Sequence, residues 1–224
     1  KILLIYTLIY GMLGFDLSQA TVSSYMPKKE KRSGHTWLTF LHNHLKEMVS
    51  VDFFDVHTLT YSLLYVFVIL SHDRRKIIHF NITKHPTDSW AAQQLIEAFA
   101  WKSPPRFLIR DRDSKFGQKF KARLRHLEIH DIQTAYRSPW QNGYVERVIG
   151  SIKRECLNHV IIMNETHLNN IMKSYIDYYH NSRTHLGLNK DSPIHRKVCP
   201  DEDGMIQSIP QVGGLHHRYK RFSA

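Results

Sequence analysis

The stretch "VSVDFFDVHTLTYSLLYVFVILSHDRRKIIHFNITKH" covers residues 49–85, and its reading decides the fold. "VSVDFFDV" is a strand. "SLLYVFVILS" is a longer apolar strand whose continuous run predicts burial on both faces. "KIIHFNITKH" is a third, more alternating strand. Short turns join the three, so they form an antiparallel meander. Alternation puts Val51 and Phe53 of the first strand on one face, with Asp52 and Phe54 on the other. A carboxylate inside a strand is costly unless it is paired or bound to a metal. Asp55, nearer the strand end, needs no such account.

Downstream the pattern changes. "PTDSWAAQQLIEAFAW" repeats Ala91, Leu95, Ala98 and Phe99 at helical spacing, and Pro104 and Pro105 stop it. "RFLIRD" is a fourth strand ending at Asp111. "KFKARLRHLE" is a short helix, and "IHDIQTAY" is a fifth strand. A helix follows in "SPWQNGYVERVIGSIKREC" (138–156), and a last one in "ETHLNNIMKSYIDYYHNS". Strands separated by helices join in parallel. The predicted fold is therefore α/β: a mixed five-stranded sheet, three antiparallel strands then parallel ones, flanked by helices.

Upstream, "FDLSQATVSSYM" (15–26) reads as a turn and a short helix with Ser18 as N-cap. The basic run "PKKEKR" follows it. Residues 31–48 read as linker with a little helix around "TWLTFLHNHL", and 196–224 as a tail of loop and one short strand. "KILLIYTLIYGMLGF" (1–15) is apolar but too short to span a bilayer. It reads as a first helix cut short rather than a signal-peptide core.

The charge points to a polyanion. Among 224 residues, 31 Lys and Arg stand against 20 Asp and Glu, a net charge of +11, with sixteen His besides. The two cysteines, Cys156 and Cys199, form no CxxC, which argues against a disulfide scaffold and a structural zinc.

Three acids occupy informative places. Asp52 lies within a strand. Asp111 lies where a buried strand meets its exit loop, with Asp113 a weaker rival. Glu146 lies at the edge of the apolar stripe Val145, Val148, Ile149, Ile152 and Cys156. Gly150 and Lys153 continue along that edge, so a carboxylate, bare backbone and a cation follow one another. Three carboxylates without Cys or His suit a hard, oxygen-loving ion. Two Mg²⁺ ions could serve an in-line displacement at phosphorus.

"VDFFDV", "LIRDRDSKF" and "SPWQNGYVERVIGSIKREC" resemble, in order, the signature blocks of the DDE integrase catalytic core. The likeness is to bacterial insertion-sequence transposases related to retroviral integrases. Thirty-four residues separate Asp111 from Glu146, close to the family's usual spacing. "YYHNSRTHLGLNKDSP" is similar to the family's ending, with His180 where Asn is usual and Thr184 in a Pro position. Asp113 stands where many relatives carry Gly.

The resemblance implies a ribonuclease H-like fold and a division into 1–30 (a truncated helix-turn-helix remnant), 31–48 (linker), 49–195 (catalytic core) and 196–224 (tail). It implies that Asp52, Asp111 and Glu146 are catalytic metal ligands for two Mg²⁺ or Mn²⁺ ions. Asn142, Gly143, Lys153 and Arg154 would approach DNA. The activity implied is transposase chemistry, strand cleavage and strand transfer on double-stranded transposon ends and target. A homo-oligomer on DNA, in the bacterial cytoplasm and nucleoid with no membrane, is the implied setting. The alternative is a catalytically inactive or truncated remnant that only binds DNA. A general nuclease fits the Pro/Asn/Gly entrance less well.

Overall fold

The computed structural model describes residues 9–10, 12–25, 36–101, 103–197 and 204–222. The run "PKKEKR", most of the apolar start and Cys199 lie outside them. The chain divides into two compact units, 1–36 and 37–224. In the first, helix α1 (Gln19–Tyr25) begins where Ser18 Oγ accepts the Thr21 N–H at 3.2 Å, the cap its sequence predicts.

The second unit is built on the predicted sheet. Its strands are β1 (Met48–His57), β2 (Leu63–Ser71), β3 (Ile77–Thr83), β4 (Phe107–Arg110) and β5 (His130–Gln133). Their order is β3-β2-β1-β4-β5. β1, β2 and β3 are antiparallel, whereas β4 pairs in parallel with β1 and β5 with β4. The register sets Asp52 opposite Val68.

β2 explains why both faces of the sheet are covered. Val66, Phe67, Val68, Ile69 and Leu70 are all fully buried, so neither face of this strand can meet water. On one face Val49, Val51, Phe67 and Ile69 pack against α3 (Asp88–Phe99) and α4 (Gln118–His126). On the other, Phe54, Val66, Val68 and Leu70 pack against α5 (Gly143–Glu155) and α6 (Glu165–Asn181). Local chemistry starts the helices: Thr87 accepts the Trp90 N–H ahead of α3, and Asn164 the His167 N–H ahead of α6.

The second unit begins before β1. Helix α2 (Trp37–His44), within the stretch read as linker, packs Trp37, Phe40 and Leu41 on Met48, Phe107 and Ile109. The chain's last stretch forms a hairpin of β6 (Met205–Gln211) and β7 (His216–Phe222). That is two strands where the sequence suggested one. His216 stacks on Tyr178 with ring centroids 4.3 Å apart, and its Nε2 bonds the Glu155 carbonyl at 2.8 Å. Glu155 is itself gripped by Arg183 through both carboxylate oxygens and by the Tyr175 hydroxyl. These bonds hold its pKa below the ordinary range against the opposing effect of burial. Among the described residues no helix is long and apolar enough to cross a membrane.

Three buried histidines tie the fold to pH. His72 meets Ser50 Oγ at 2.6 Å, His180 Nε2 accepts the Ile77 N–H at 3.0 Å, and His185 Nδ1 accepts from Arg183. Burial lowers each ring from the ordinary 6.5 to about 4, with nearby cations adding to the effect at His180 and His185. At these three rings the unfolded chain therefore binds more protons than the native one between these values. Stability present above pH 6.5 is lost as pH falls toward 4. Urea unfolding across this window should show a loss of roughly 3 kcal/mol or more. His180→Gln, whose amide oxygen can still accept the Ile77 N–H, should make the loss shallower.

Candidate active site

The three acids singled out by sequence come from three elements. Asp52 sits in β1 on the face that carries Phe54, toward α5. Its Oδ1 accepts the Phe53 N–H at 2.8 Å. Asp111 is the first residue beyond β4, and its Oδ1 accepts the Asp113 N–H at 3.0 Å. Glu146 lies in the first turn of α5, exposed to solvent. Asp113, the rival, is committed to Lys115, whose Nζ is 2.6 Å from its carboxylate.

Electrostatics joins the three. The Asp52 carboxyl is pushed up to about 7, first by burial, then by the charge of Asp111, with Glu146 and Asp113 adding smaller repulsions. Glu146 is also raised, by desolvation and then by Asp111. Asp52 therefore feels both other acids, and Glu146 feels Asp111, as expected of like charges gathered at one place. Among the described residues, however, no set of three His, Cys, Asp or Glu side chains is arranged to hold a metal ion. Asp52 and Asp111 each turn one oxygen to a neighbouring backbone amide. The donor chemistry itself, all carboxylate oxygen, suits Mg²⁺ or Mn²⁺.

The four residues expected to approach DNA fare differently. Asn142 is buried at 2% exposure, and its Nδ2 donates to the Val51 carbonyl at 3.3 Å. It thus pins the start of α5 to β1 beside Asp52. Its Oδ1 is buried without a partner. Gly143 has open space where a side chain would stand. Lys153 is half-buried over the Phe54 ring, with Nζ 3.7 Å from Asp55. Arg154 is exposed, its guanidinium lying over Gly150.

Sequence reasoning missed the support beneath Asp111. Arg110 is 1% exposed, and it meets both oxygens of Asp131 on β5 at 2.8 Å. Its third nitrogen donates to the Asp111 carbonyl at 3.1 Å. Arg112 adds a second staple, from Nε to the Thr134 carbonyl at 2.9 Å. The available signal was an Arg closing the apolar run "FLI". A buried guanidinium there demands a carboxylate from a neighbouring strand.

With this geometry established, comparison with known proteins is informative. Residues 127–193 match the family model described as Integrase core domain. No curated protein matches the chain. A chain of the simian T-cell lymphotropic virus intasome in complex with PP2A regulatory subunit B56 gamma aligns with TM-score 0.55 and 17% identity, over 87% of this chain and 70% of that one. The HTLV-2 integrase catalytic core domain, in complex with magnesium, aligns in its dimeric form with TM-score 0.54 and 13% identity, over 67% of this chain and 94% of that one. At these identities the likeness shows the fold, the ribonuclease H-like fold of integrase cores. The family-level likeness thus spans residues 127–193, a stretch that includes Glu146 but neither Asp52 nor Asp111.

Removing one partner of the Arg110–Asp131 pair leaves the other without its counter-charge. Arg110→Met should therefore lower stability by roughly 3 kcal/mol, read as a shift in urea midpoint. Asp131→Asn in the same background should add little, since the pair is already broken.

Proposed function

We propose that this protein is a transposase that cleaves and joins DNA strands, with Asp52, Asp111 and Glu146 as its catalytic carboxylates. The observation that carries the proposal is the gathering of charge around Asp52: burial, then the charges of Asp111 and Glu146, raise its carboxyl to about 7, and burial and Asp111 raise Glu146. Placing like charges together costs stability, and a divalent cation is the partner that offsets it. Asp52, Asp111 and Glu146 would hold the Mg²⁺ or Mn²⁺ ions. When bound, two such ions would supply Lewis-acid activation of the attacking oxygen and charge stabilisation of the leaving one.

The chain's own residues account for the rest. Asn142, by tethering the start of α5 to the Val51 carbonyl, sets where Glu146 faces Asp52. Arg110 fixes the backbone of Asp111. Gly143 leaves room for a phosphate backbone at the start of α5, and Lys153 and Arg154 supply positive charge two turns on. The substrates under this reading are double-stranded transposon ends and target, bound by an oligomer of the chain in the bacterial cytoplasm and nucleoid. The intasome and the dimeric core among the fold relatives support the oligomer by analogy.

A second reading is a DNA-binding remnant without catalysis. It draws on the carboxylates being turned to local amides rather than closed around an ion site. A strand-transfer assay with the flanking DNA ends separates the two. The unmutated chain should join strands in Mg²⁺ or Mn²⁺, while Glu146→Gln should abolish joining and leave DNA retention on a mobility-shift gel intact. Equal loss of joining and retention in the variant counts against the proposal. No cleavage or joining by the unmutated chain at any metal concentration favours the remnant.

A further inference from the structure

Helix α5 carries a second polar stripe. Tyr144, Arg147 and Ser151 lie about 100° to 160° round the axis from Glu146 at 100° per residue. They form one wall of a half-open cavity of about 470 Å³, whose other walls include Arg75, Arg183 and His185. Three guanidiniums and an imidazole thus converge on one space away from the carboxylates.

Their hydrogen bonds show which charges are uncommitted. Arg183 is neutralised by Glu155 through two bonds of 2.6 and 2.7 Å. The remaining two are not neutralised. Arg75 lies over the Tyr144 ring at 5.7 Å, and Arg147 is exposed. Neither meets a carboxylate among the described residues. The contrast with Arg74 is informative. Both residues of that turn adopt left-handed backbone, with φ of 50° and 57°, a cost for non-glycine residues. Arg74 spends its donors on Asp191 and on the Ser192 and Pro193 carbonyls. Arg75 is sent to the cavity.

His185 lines the same cavity. It is 6% exposed, and its Nδ1 accepts from Arg183 Nη1 at 3.1 Å, which leaves the proton on Nε2. That Nε2 is buried without a hydrogen-bond partner. The Tyr179 carbonyl lies beside the ring and favours its charged form.

We propose that this cavity is an oxyanion site that takes a phosphate group, held by Arg75 and Arg147 with His185 at its wall. Planar guanidiniums suit phosphate oxygens through paired, charge-assisted hydrogen bonds. The phosphate belongs either to a nucleic-acid backbone or to a free phosphate ester. The site is separate from the carboxylates, and its test does not depend on catalysis.

Calorimetric titration of inorganic phosphate into the full chain, at ionic strength held constant with chloride, should show saturable binding. Arg147→Gln and Arg75→Gln should each weaken it about tenfold, with circular dichroism confirming the fold. Glu146→Gln should bind phosphate as the unmutated chain does. Displacement of phosphate by a short DNA duplex identifies a backbone phosphate as occupant. Displacement by a nucleoside monophosphate but not by duplex identifies a free ester. Absence of saturable binding, equal binding by both arginine variants, or displacement by neither competitor overturns the assignment.

Discussion

Complete burial of β2 is the constraint from which the rest of the second unit follows. Five successive side chains, Val66 to Leu70, have no contact with water. A strand in that condition needs a helical layer on each face, at roughly 25 cal/mol for each Å² of apolar surface removed from water. α3 and α4 fill one side, and α5 and α6 the other. The second layer also has a chemical consequence. It brings the first turn of α5 over β1 on the side where Asp52 projects, so the packing that buries Val148 and Ile152 also carries Glu146 toward two other acids.

This gathering costs stability, and the structure shows how the cost is contained. Asp52 is raised to about 7 by burial and by its neighbours. Its Oδ1 and that of Asp111 accept local amide hydrogens, which partly offsets the loss of water. Arg110, close by in sequence, does not neutralise Asp111. Both carboxylate-directed donors of its guanidinium go to Asp131, and only the carbonyl of Asp111 is bound. That guanidinium is thus occupied elsewhere and leaves the Asp111 carboxylate unneutralised by it.

Much of this was legible in the sequence, and the physical reason is periodicity. The continuous apolar run of β2, the alternation of β1 and the helical spacing of Ala91, Leu95, Ala98 and Phe99 each point to one element. The alternation between strands and helices after residue 85 fixes where parallel pairing begins. The places of Asp52, Asp111 and Glu146 followed because each interrupts such a pattern. Tertiary partnership was less legible. Nothing local in "SPWQNG" reveals that Asn142 turns inward to the Val51 carbonyl, 91 residues away. Arg110 lies in a run that reads as strand, and its partner Asp131 comes from the next strand. The closing hairpin was half-read because "MIQSIPQ" has little apolar alternation and carries Pro210. The residues of β6 are mostly exposed, so there was no core face for a pattern to record.

The same distinction separates the two faces of α5. Glu146 stands out in sequence because a carboxylate behind a Pro/Asn/Gly entrance is unusual. Arg147, next to it, reads as one more surface cation in a chain of net charge +11. Its environment is set by two distant segments, the turn at Arg75 and the bend from Arg183 to His185, which no local pattern connects. On one helix, then, negative groups from the sheet converge on one edge and positive groups from the loops on another. Each collection of like charges resists folding, and each is held by neutral scaffolding: backbone amides beside the acids, the Tyr144 ring and the Glu155-bound Arg183 beside the bases. Two opposed concentrations of charge thus stand about one helix, each held in place by the packing around it.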